Sequence, residues 1–422
     1  MHQIEALGQL LRDRRRVALR ELRWPRVARN VVLLGLVSLL TDLSAEMVAT
    51  VLPLYLVYTL GLSPFQFGVL DGLYQGVTAF IRLGGGFAAD RWRRYKEVCA
   101  LGYGISAASK IAFLAAGSAL GALAAIIVVD RAGKGIRTAP RDALISLSSA
   151  RGELATAFGV HRAMDTAGAM LGPLVAFALL TLASNAYDAV FVVSFCVGLV
   201  GLSILVLFVQ NPVADERVVR EWDVSLRAVA GLIRAPGFVG LIFVAGILAV
   251  FTVSDGFLYL SLQRSLEFDA RFLPLLFTGT AAVYMLLAIP CGRLADRFGH
   301  GRVFLAGYAL LVSAYLLLLL PSFGTADVVV YVALLGAYYA ATDGVLMALA
   351  STMLPAPVRG SGLALIVTAT SFGRLLASML FGALWTAFSV ETAVLAFAAG
   401  LLVAICAAVI VMMRLKVTTS FA

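Results

Sequence analysis

Residues 86–94 read GFAADRWRR, and residues 292–299 read GRLADRFG. Both stretches end an apolar segment, and both place a glycine four positions before an Asp-Arg pair. The two copies lie 206 positions apart in a chain of 422 residues, which is close to half its length. A repeat at this distance predicts that the chain consists of two similar halves.

The composition predicts an all-α membrane protein. Hydrophobic residues make up 61% of the chain and charged residues 14%, whereas soluble domains average about 45–50% and about 25%. Unbroken apolar runs differ from the alternating pattern of a membrane β-barrel. Twelve apolar segments are each long enough to cross a hydrocarbon core of about 30 Å as a helix. They cover residues 31–58, 65–88, 97–118, 120–146, 154–182, 188–209, 237–262, 271–292, 302–321, 326–352, 361–384 and 389–413.

A polar stretch between segments 6 and 7 divides the chain. We predict two pseudo-symmetric six-helix bundles joined by a cytoplasmic linker. The predicted divisions are an Arg-rich cytoplasmic segment at 1–30, an N-terminal bundle at 31–210, the linker at 211–235, a C-terminal bundle at 236–414 and a cytoplasmic tail at 415–422.

The distribution of basic residues predicts the orientation. Lys and Arg concentrate before segment 1, after segments 2 and 8, in the linker and in the tail, while the alternate loops carry only Arg264 and Arg271. The positive-inside rule therefore places both termini in the cytoplasm. The net charge of +9 lies mostly on that rim, where it faces the lipid headgroups of the bilayer. We expect a multi-pass protein of a bacterial inner membrane that is monomeric and does not bind nucleic acid.

Several chemistries lack their usual residue patterns. The four cysteines and three histidines are scattered, so no metal site is predicted. A phosphate-binding loop is absent, and no nucleophile–base pair stands out. We therefore expect a protein that is not an enzyme and that needs no cofactor.

The duplicated stretches resemble the Gly-x-x-x-Asp-Arg loops of the major facilitator superfamily, which join helices 2–3 and 8–9. This resemblance implies twelve helices and solute transport by alternating access. It also implies a gating role for the loop residues, since in the family this carboxylate latches the two bundles. The alternative is a cluster of topogenic charges without a gating role. The residues concerned are Gly86, Asp90, Arg91, Gly292, Asp296 and Arg297.

Charged residues inside the apolar segments are the candidates for function, because an ionisable group at the bilayer centre costs at least about 2.5–3.5 kcal/mol. Segment 1 carries Asp42 and Glu46 one helical turn apart, and one of them is our predicted proton-titrating group. Segment 2 carries Asp71 near Tyr74 and Gln75. The candidates for lining the solute cavity are Tyr74, Gln75, Lys110, Asp130, Lys134, Arg137, Arg162, Asp255, Asp343 and Arg374.

Segment 4 has an unusual face. Residues 130–142 read DRAGKGIRTAPRD, so that Asp130 and three cations share one side of a helix. Such a face must line a cavity or pair with acids such as Asp42, Glu46 and Asp165. Arg131-x-x-Lys134-Gly135 resembles the Arg-x-x-Gln-Gly pattern of the superfamily, whose Arg is linked to proton coupling. This resemblance implies a role in proton coupling for Arg131, and from their placement we predict that Asp42, Glu46 and Asp165 are the acids that take part.

Segment 5 resembles the antiporter motif of drug and metabolite exporters in the superfamily. The matching residues are Gly159, Gly168, Gly172 and Pro173, whereas Ala176 and Phe177 replace the trailing glycine pair. The resemblance implies close helix packing and export. Generic packing of two helices is the alternative reading.

Three functions remain open at this stage. The first is proton-coupled export of a small metabolite or drug, which the cations of segment 4 suggest is anionic. The second is proton-coupled import of an anionic solute or metal chelate. The third is a membrane receptor or scaffold that does not transport.

Overall fold

The computed structural model describes residues 28–92, 94–149, 153–183, 186–211, 236–320, 324–354 and 359–419, and excludes the side chains of residues 82–92, 155, 236, 325 and 415–419. The predicted Arg-rich segment up to residue 27 and the predicted linker from residue 212 to 235 lie outside the described residues.

The described chain is helical throughout, and no strand occurs within these ranges. Each of the twelve predicted segments corresponds to a helical span. The helices are α1 (Arg29–Leu54, extended by a π-helical turn at Tyr55–Thr59), α2 (Pro64–Trp92), α3 (Tyr95–Ala116), α4 (Leu120–Leu147), α5 (Leu154–Leu182), α6 (Tyr187–Phe208), α7 (Pro236–Val250), α8 (Asp255–Leu266), α9 (Leu273–Phe298), α10 (His300–Leu318), α11 (Thr325–Met353), α12 (Arg359–Ala387) and α13 (Val390–Thr419).

Ten spans in the described part of the chain are long and apolar enough to cross a membrane, with α7 and α8 counted together as one span. The two further long helices are α2 and α4. Helix α4 carries the dense run of charges from Asp130 to Asp142. These charges lower its mean hydropathy, so α4 depends on its neighbours to shield it from lipid.

The predicted seventh segment is broken, which corrects the expectation of one continuous helix over 237–262. Helix α7 ends at Val250 and α8 begins at Asp255, with Ser254 as the N-cap that accepts from the backbone N–H of Phe257. Tyr315 of α10 hydrogen-bonds to backbone groups that the break leaves without helical partners. Its hydroxyl accepts from the N–H of Val253 at 2.8 Å and donates to the carbonyl of Phe251 at 3.2 Å. An interrupted helix is tolerated at membrane depth where protein groups replace the lost hydrogen bonds.

The helices pack mainly with others of the same half. In the first half (α1–α6), α1 packs on α5 and α6, α4 packs on α2 and α3, and α3 also contacts α6. In the second half (α7–α13), α11 packs on α9 and α10, while α7 packs on α12 and α13. The halves meet chiefly where α2 packs along α12 and where α5 contacts α9.

The cross-contacts between the halves lie at the end of the helices away from residues 28 and 419, the first and last described residues, and we call it the closed end. A Cβ atom on Gly72 of α2 would lie 2.9 Å from the carbonyl oxygen of Leu375 on α12. Phe67 of α2 meets Phe257 of α8 edge-on, with ring centroids 4.7 Å apart. Glycine thus permits a backbone approach between α2 and α12 that a larger residue would prevent.

Both repeated signatures lie in the last turns of helices, which corrects their interpretation as loops. Helix α2 continues to Trp92 and α9 continues to Phe298. Gly299 then ends α9 with a φ of 98°, a conformation that favours glycine.

Candidate functional site

A central cavity of about 450 Å³ lies between the two halves. Three acids and three cations line it: Glu46, Asp71, Asp255, Arg131, Lys134 and Arg374. An adjoining cavity of about 280 Å³ shares Gln75 and Arg374 with it and also contains Asp343. The central cavity draws residues from α1, α2, α4, the α7–α8 break, α9, α11 and α12. Its size falls within the range of small-molecule sites.

Asp130 of α4 binds two cations in the interior of the first half. Its carboxylate forms ion pairs with Lys110 of α3 and with the adjacent Arg131. Ser106 and Ser109 donate to the same carboxylate at 2.8 Å and 2.9 Å. This cluster is buried, and its single carboxylate balances one of the two positive charges of Lys110 and Arg131.

Arg131 is held at the cavity wall from two sides. Besides its ion pair with Asp130, its guanidinium lies 3.8 Å from the centroid of the Tyr74 ring. A cation above an aromatic face gains electrostatic stabilisation. The geometry therefore fixes the orientation of both side chains at the boundary between α2 and α4.

A second cluster lies between α1, α4 and α5, outside the lining of the central cavity. Arg137 pairs with Asp42 at 3.4 Å, and Arg141 approaches Asp165 at 3.7 Å. The side chains of Asp42 and Asp165 are within hydrogen-bonding reach of each other, and we call them the carboxyl pair. Ser38 also donates to Asp165, at 2.8 Å.

The charged face of α4 is therefore divided between the two roles that its sequence allows. Asp130 and Arg137 pair with buried groups, and Arg141 contacts Asp142 and Asp165. Lys134 instead lines the central cavity and makes no ion pair with any side chain in the described ranges. Arg162, predicted for the cavity, has a side chain that is 79% exposed and lies 3.6 Å from Asp165.

In the second half, the charged groups of the site contact a tyrosine hydroxyl and form one long ion pair. Tyr339 of α11 donates to Asp255 at 2.7 Å. Arg374 of α12 lies 3.8 Å from Asp343 of α11, and both side chains are partly exposed. Asp255 and Arg374 line the central cavity, whereas Asp343 lines the adjoining one.

Sequence reasoning did not place Asp71 or the α7–α8 break in the site. Asp71 of α2 accepts a hydrogen bond from Ser378 of α12 and thereby joins the two halves beside the cavity. Thr252, Val253 and Gly256 at the break also line the cavity. The order Ser254-Asp255-Gly256 was the available signal, because Ser followed by Asp is typical of a helix start.

The glycines of α5 differ in their surroundings. A Cβ on Gly172 would lie 2.8 Å from the carbonyl oxygen of Leu43 on α1, and Gly168 is in still closer contact with Leu39. A Cβ on Gly159 would meet no atom within 4 Å. Pro173 lies inside the helix. The close approach of α5 to α1 therefore involves Gly168 and Gly172, which brings Asp165 to Asp42.

Of the two predicted gating signatures, only the second has side chains that the structure describes. Gly86, Asp90 and Arg91 lie outside the described side chains. Asp296 is 76% exposed and pairs with His300, one turn away, at 3.2 Å. Arg297 lies over the ring of Phe298 at 5.3 Å, and Gly292 has open space around it. These contacts of the second signature thus stay within its own half.

The chain is similar to a known protein family along most of its length. The model of the Major Facilitator Superfamily matches residues 34–269 and 248–420. An uncharacterised MFS-type transporter of Methanocaldococcus jannaschii is 30% identical over 372 residues, which cover 85% of this chain and 89% of that protein. An uncharacterised protein of Mycobacterium tuberculosis is 29% identical over 159 residues, or 38% of each chain.

Solved structures share the fold at low identity. The nucleoside transporter NupG superposes with a TM-score of 0.74 at 17% identity, covering 91% of this chain and 100% of that one. A bacterial homologue of the human lysosomal transporter Spinster, in an inward-facing and occupied conformation, gives 0.71 at 16% identity, covering 91% and 96%. A POT family transporter in complex with 5-aminolevulinic acid gives 0.74 at 13% identity, covering 92% and 96%.

Proposed function

Because the chain belongs to the major facilitator superfamily, we propose that it is a proton-coupled secondary transporter that carries a small solute by alternating access. The observation that carries this proposal is the central cavity, which both halves line with charged side chains. A site shared by two halves changes its access when one half rocks against the other. The two halves act in this proposal as the pseudo-symmetric bundles that the repeated signature predicts.

The contacts at the closed end support a conformation in which a solute reaches the cavity from the opposite end only. α2 and α12 are in close contact there, and Tyr58 hydrogen-bonds to Gln263 across the halves. The first and last described residues, 28 and 419, lie at the opposite end, which the positive-inside rule assigns to the cytoplasm. In this proposal the cavity is reached from the cytoplasm, and separation of α2 from α12 opens it to the other side.

The carboxyl pair is the proposed proton site. Two carboxyl groups in hydrogen-bonding contact need a proton between them, because two anionic oxygens at that distance repel each other. Asp42 also meets Arg137, while Asp165 meets Arg141. Movement of α1 against α4 and α5 would change these ion pairs and so bind or release the proton. Such carboxyls titrate as a coupled unit rather than separately.

Glu46 connects this proton site with the solute site. It lies one turn after Asp42 on α1 and lines the central cavity on the same side as Lys134. Arg131, oriented by Asp130 and Tyr74, is the neighbouring cation on α4. A solute that draws Lys134 toward itself would weaken the electrostatic hold of Lys134 on Glu46 and Asp42. This is the proposed link between solute binding and the protonation of these carboxyl groups.

Export is the direction that we propose first. The close packing of Gly168 and Gly172 on α1 supports the antiporter interpretation of α5. The solute carries an acidic group, since Lys134 and Arg374 face the cavity from opposite halves. Import of an anionic solute is the second candidate, because the same cations would serve it equally. The opposite sign of proton movement separates the two.

The test is solute-driven proton flux in proteoliposomes with a pH-sensitive dye inside. A panel of anionic metabolites, metal chelates, amino acids and cationic drugs is applied to purified protein. Export and import predict opposite pH changes when an outward or inward solute gradient is imposed. A folded protein that moves no proton with any compound on the panel would argue for the receptor or scaffold function.

The matched variants address the proton site. Asp42→Asn combined with Asp165→Asn should abolish solute-driven proton flux, because no titrating carboxyl remains in the pair. Asp188→Asn is the control, since Asp188 is an exposed carboxylate at the start of α6. Full proton coupling in the double variant would contradict the assignment of the carboxyl pair.

A further inference from the structure

Two of the three acids that line the central cavity, Asp71 and Asp255, lie toward its closed end, whereas the cations Lys134 and Arg374 and the third acid, Glu46, lie farther from that end. From this arrangement we infer that the solute is amphoteric, with a cationic nitrogen at one end and an acidic group at the other. The inference rests on the proposed function, because it names the class of solute for that cavity. It changes the sequence-based expectation, which considered only the acidic group.

The carboxylates of Asp71 and Asp255 come from different halves and converge at the closed end. A Cβ on Gly256, the residue after Asp255, would lie 3.8 Å from a carboxylate oxygen of Asp71. Ser378 donates to Asp71, and Tyr339 donates to Asp255. These donors are neutral, and neither acid forms an ion pair with a cation of the described residues. Two carboxyl groups beside a cavity without counter-cations favour a cationic ligand group, because such a group stabilises their ionised forms.

The cationic side is formed by Lys134 and Arg374. Lys134 makes no ion pair in the described part of the chain, and Arg374 lies 3.8 Å from its nearest carboxylate, Asp343. Arg131 contributes less net charge to the cavity, because Asp130, which also pairs with Lys110, offsets part of it. An acidic group between Lys134 and Arg374 would therefore have one cation from each half.

The helix geometry sets the distance between the two sides. Ser378, which contacts Asp71, follows Arg374 by one helical turn on α12. Four residues of α-helix rise by about 6 Å. A solute with its amine and its acid separated by about that distance would meet both sides at once, and a purely anionic or purely cationic solute would leave one side uncompensated.

Three matched probes test this inference by direct binding to the purified protein in nanodiscs. δ-Aminovaleric acid carries both charges at opposite ends of its chain, valeric acid lacks the amine, and pentylamine lacks the acid. We expect δ-aminovaleric acid to bind at least about tenfold more tightly than the others, since about 1.4 kcal/mol of added charge complementarity gives that factor. Preference for valeric acid or pentylamine, equal binding, or no binding of any probe would overturn the inference.

Charge-neutralising variants assign the two sides. Asp255→Asn should remove the advantage of δ-aminovaleric acid over valeric acid. Asp71→Asn should act in the same direction and provides a second test if Asp255→Asn folds poorly. Lys134→Gln should remove its advantage over pentylamine. Asp188→Asn is the control that should leave all three affinities unchanged. Unchanged preferences in all of the site variants would overturn the assignment.

The failures of the two proposals are distinguishable. If δ-aminovaleric acid binds selectively but no compound drives proton flux, the proposed transport function fails and the amphoteric site stands. If other solutes drive proton flux while the probe preference is absent, the transport function stands and the amphoteric site fails.

Discussion

The two halves of the molecule manage buried charge in different ways. The first half balances cations against acids directly, as in the contacts of Asp130 with Lys110 and Arg131 and of Asp42 with Arg137. The second half uses neutral hydroxyls, such as Tyr339 on Asp255 and Tyr315 on the broken α7–α8 backbone. Ion pairs can exchange partners or protons when helices move, whereas neutral hydrogen bonds hold a geometry without changing its charge. This difference suggests that coupling resides in the first half and that the second half shapes the solute site.

The largest expected effect comes from breaking the most buried cluster of the first half. Asp130→Asn removes the charge that balances Lys110 and Arg131, and breaking a buried pair costs about 3–5 kcal/mol. We expect a large loss of thermal stability of the detergent-solubilised protein. Adding Lys110→Met should restore part of it, because one uncompensated cation is then removed. An unchanged melting temperature in Asp130→Asn would show that the cluster is better hydrated than its burial indicates.

The contact between the halves is expected to respond next most strongly. Gly72→Leu would place a side chain against the carbonyl oxygen of Leu375, 2.9 Å from the new Cβ. Overpacking costs about 1–3 kcal/mol, which shifts a conformational equilibrium by about 5- to 150-fold. The population should move toward separation of α2 from α12.

Cysteine labelling measures this shift. Gln263→Cys, in a protein whose exposed Cys196 and Cys406 are changed to serine, reports access at the closed end. Gly72→Leu should raise its labelling by a membrane-impermeant maleimide. Gly159→Leu is the control, because the position has no atom within 4 Å of a new Cβ. Equal labelling in both variants would contradict the role of the α2–α12 contact.

A smaller effect is expected from removing a neutral hydroxyl in the second half. Tyr315→Phe removes the hydrogen bonds to Val253 and Phe251 at the α7–α8 break. Each such bond contributes about 0.5–1.5 kcal/mol. We expect a modest fall in melting temperature together with weaker solute binding, since the break lines the cavity. A fall in stability with unaltered binding would limit Tyr315 to a structural role.

The smallest expected effect is at Asp343. Its pair with Arg374 is 3.8 Å long, and the two side chains are 51% and 36% exposed. Such pairs contribute about 0–1 kcal/mol, so Asp343→Asn should leave the melting temperature nearly unchanged. This variant is the counterpart of Asp130→Asn in the other half. Equal destabilisation by the two would remove the contrast between the halves.

Much of the fold was predictable because apolar length and charge are local properties of the chain. The segments at 120–146 and 154–182 match α4 and α5 to within one residue. The α7–α8 break was missed because residues 237–262 are almost uniformly apolar, so hydropathy alone could not locate the interruption. Of the candidate residues, Tyr74, Lys134 and Asp255 line the central cavity, whereas Asp42 and Asp165 lie apart from its lining.

The membrane helices, the superfamily and the shared helix face of segment 4 could be predicted from the sequence, because they depend on composition, local motifs and the regular turn of a helix. That face carries Asp130, Lys134, Arg137 and Arg141. Tertiary structure alone decided which of those charges pair and which face the cavity. Helical periodicity specifies the direction of a side chain from its own axis, but its partner depends on which helix packs there. The approach of α5 to α1 at Gly172 and of α2 to α12 at Gly72 therefore decided the functions available to Asp42, Asp165 and Asp71.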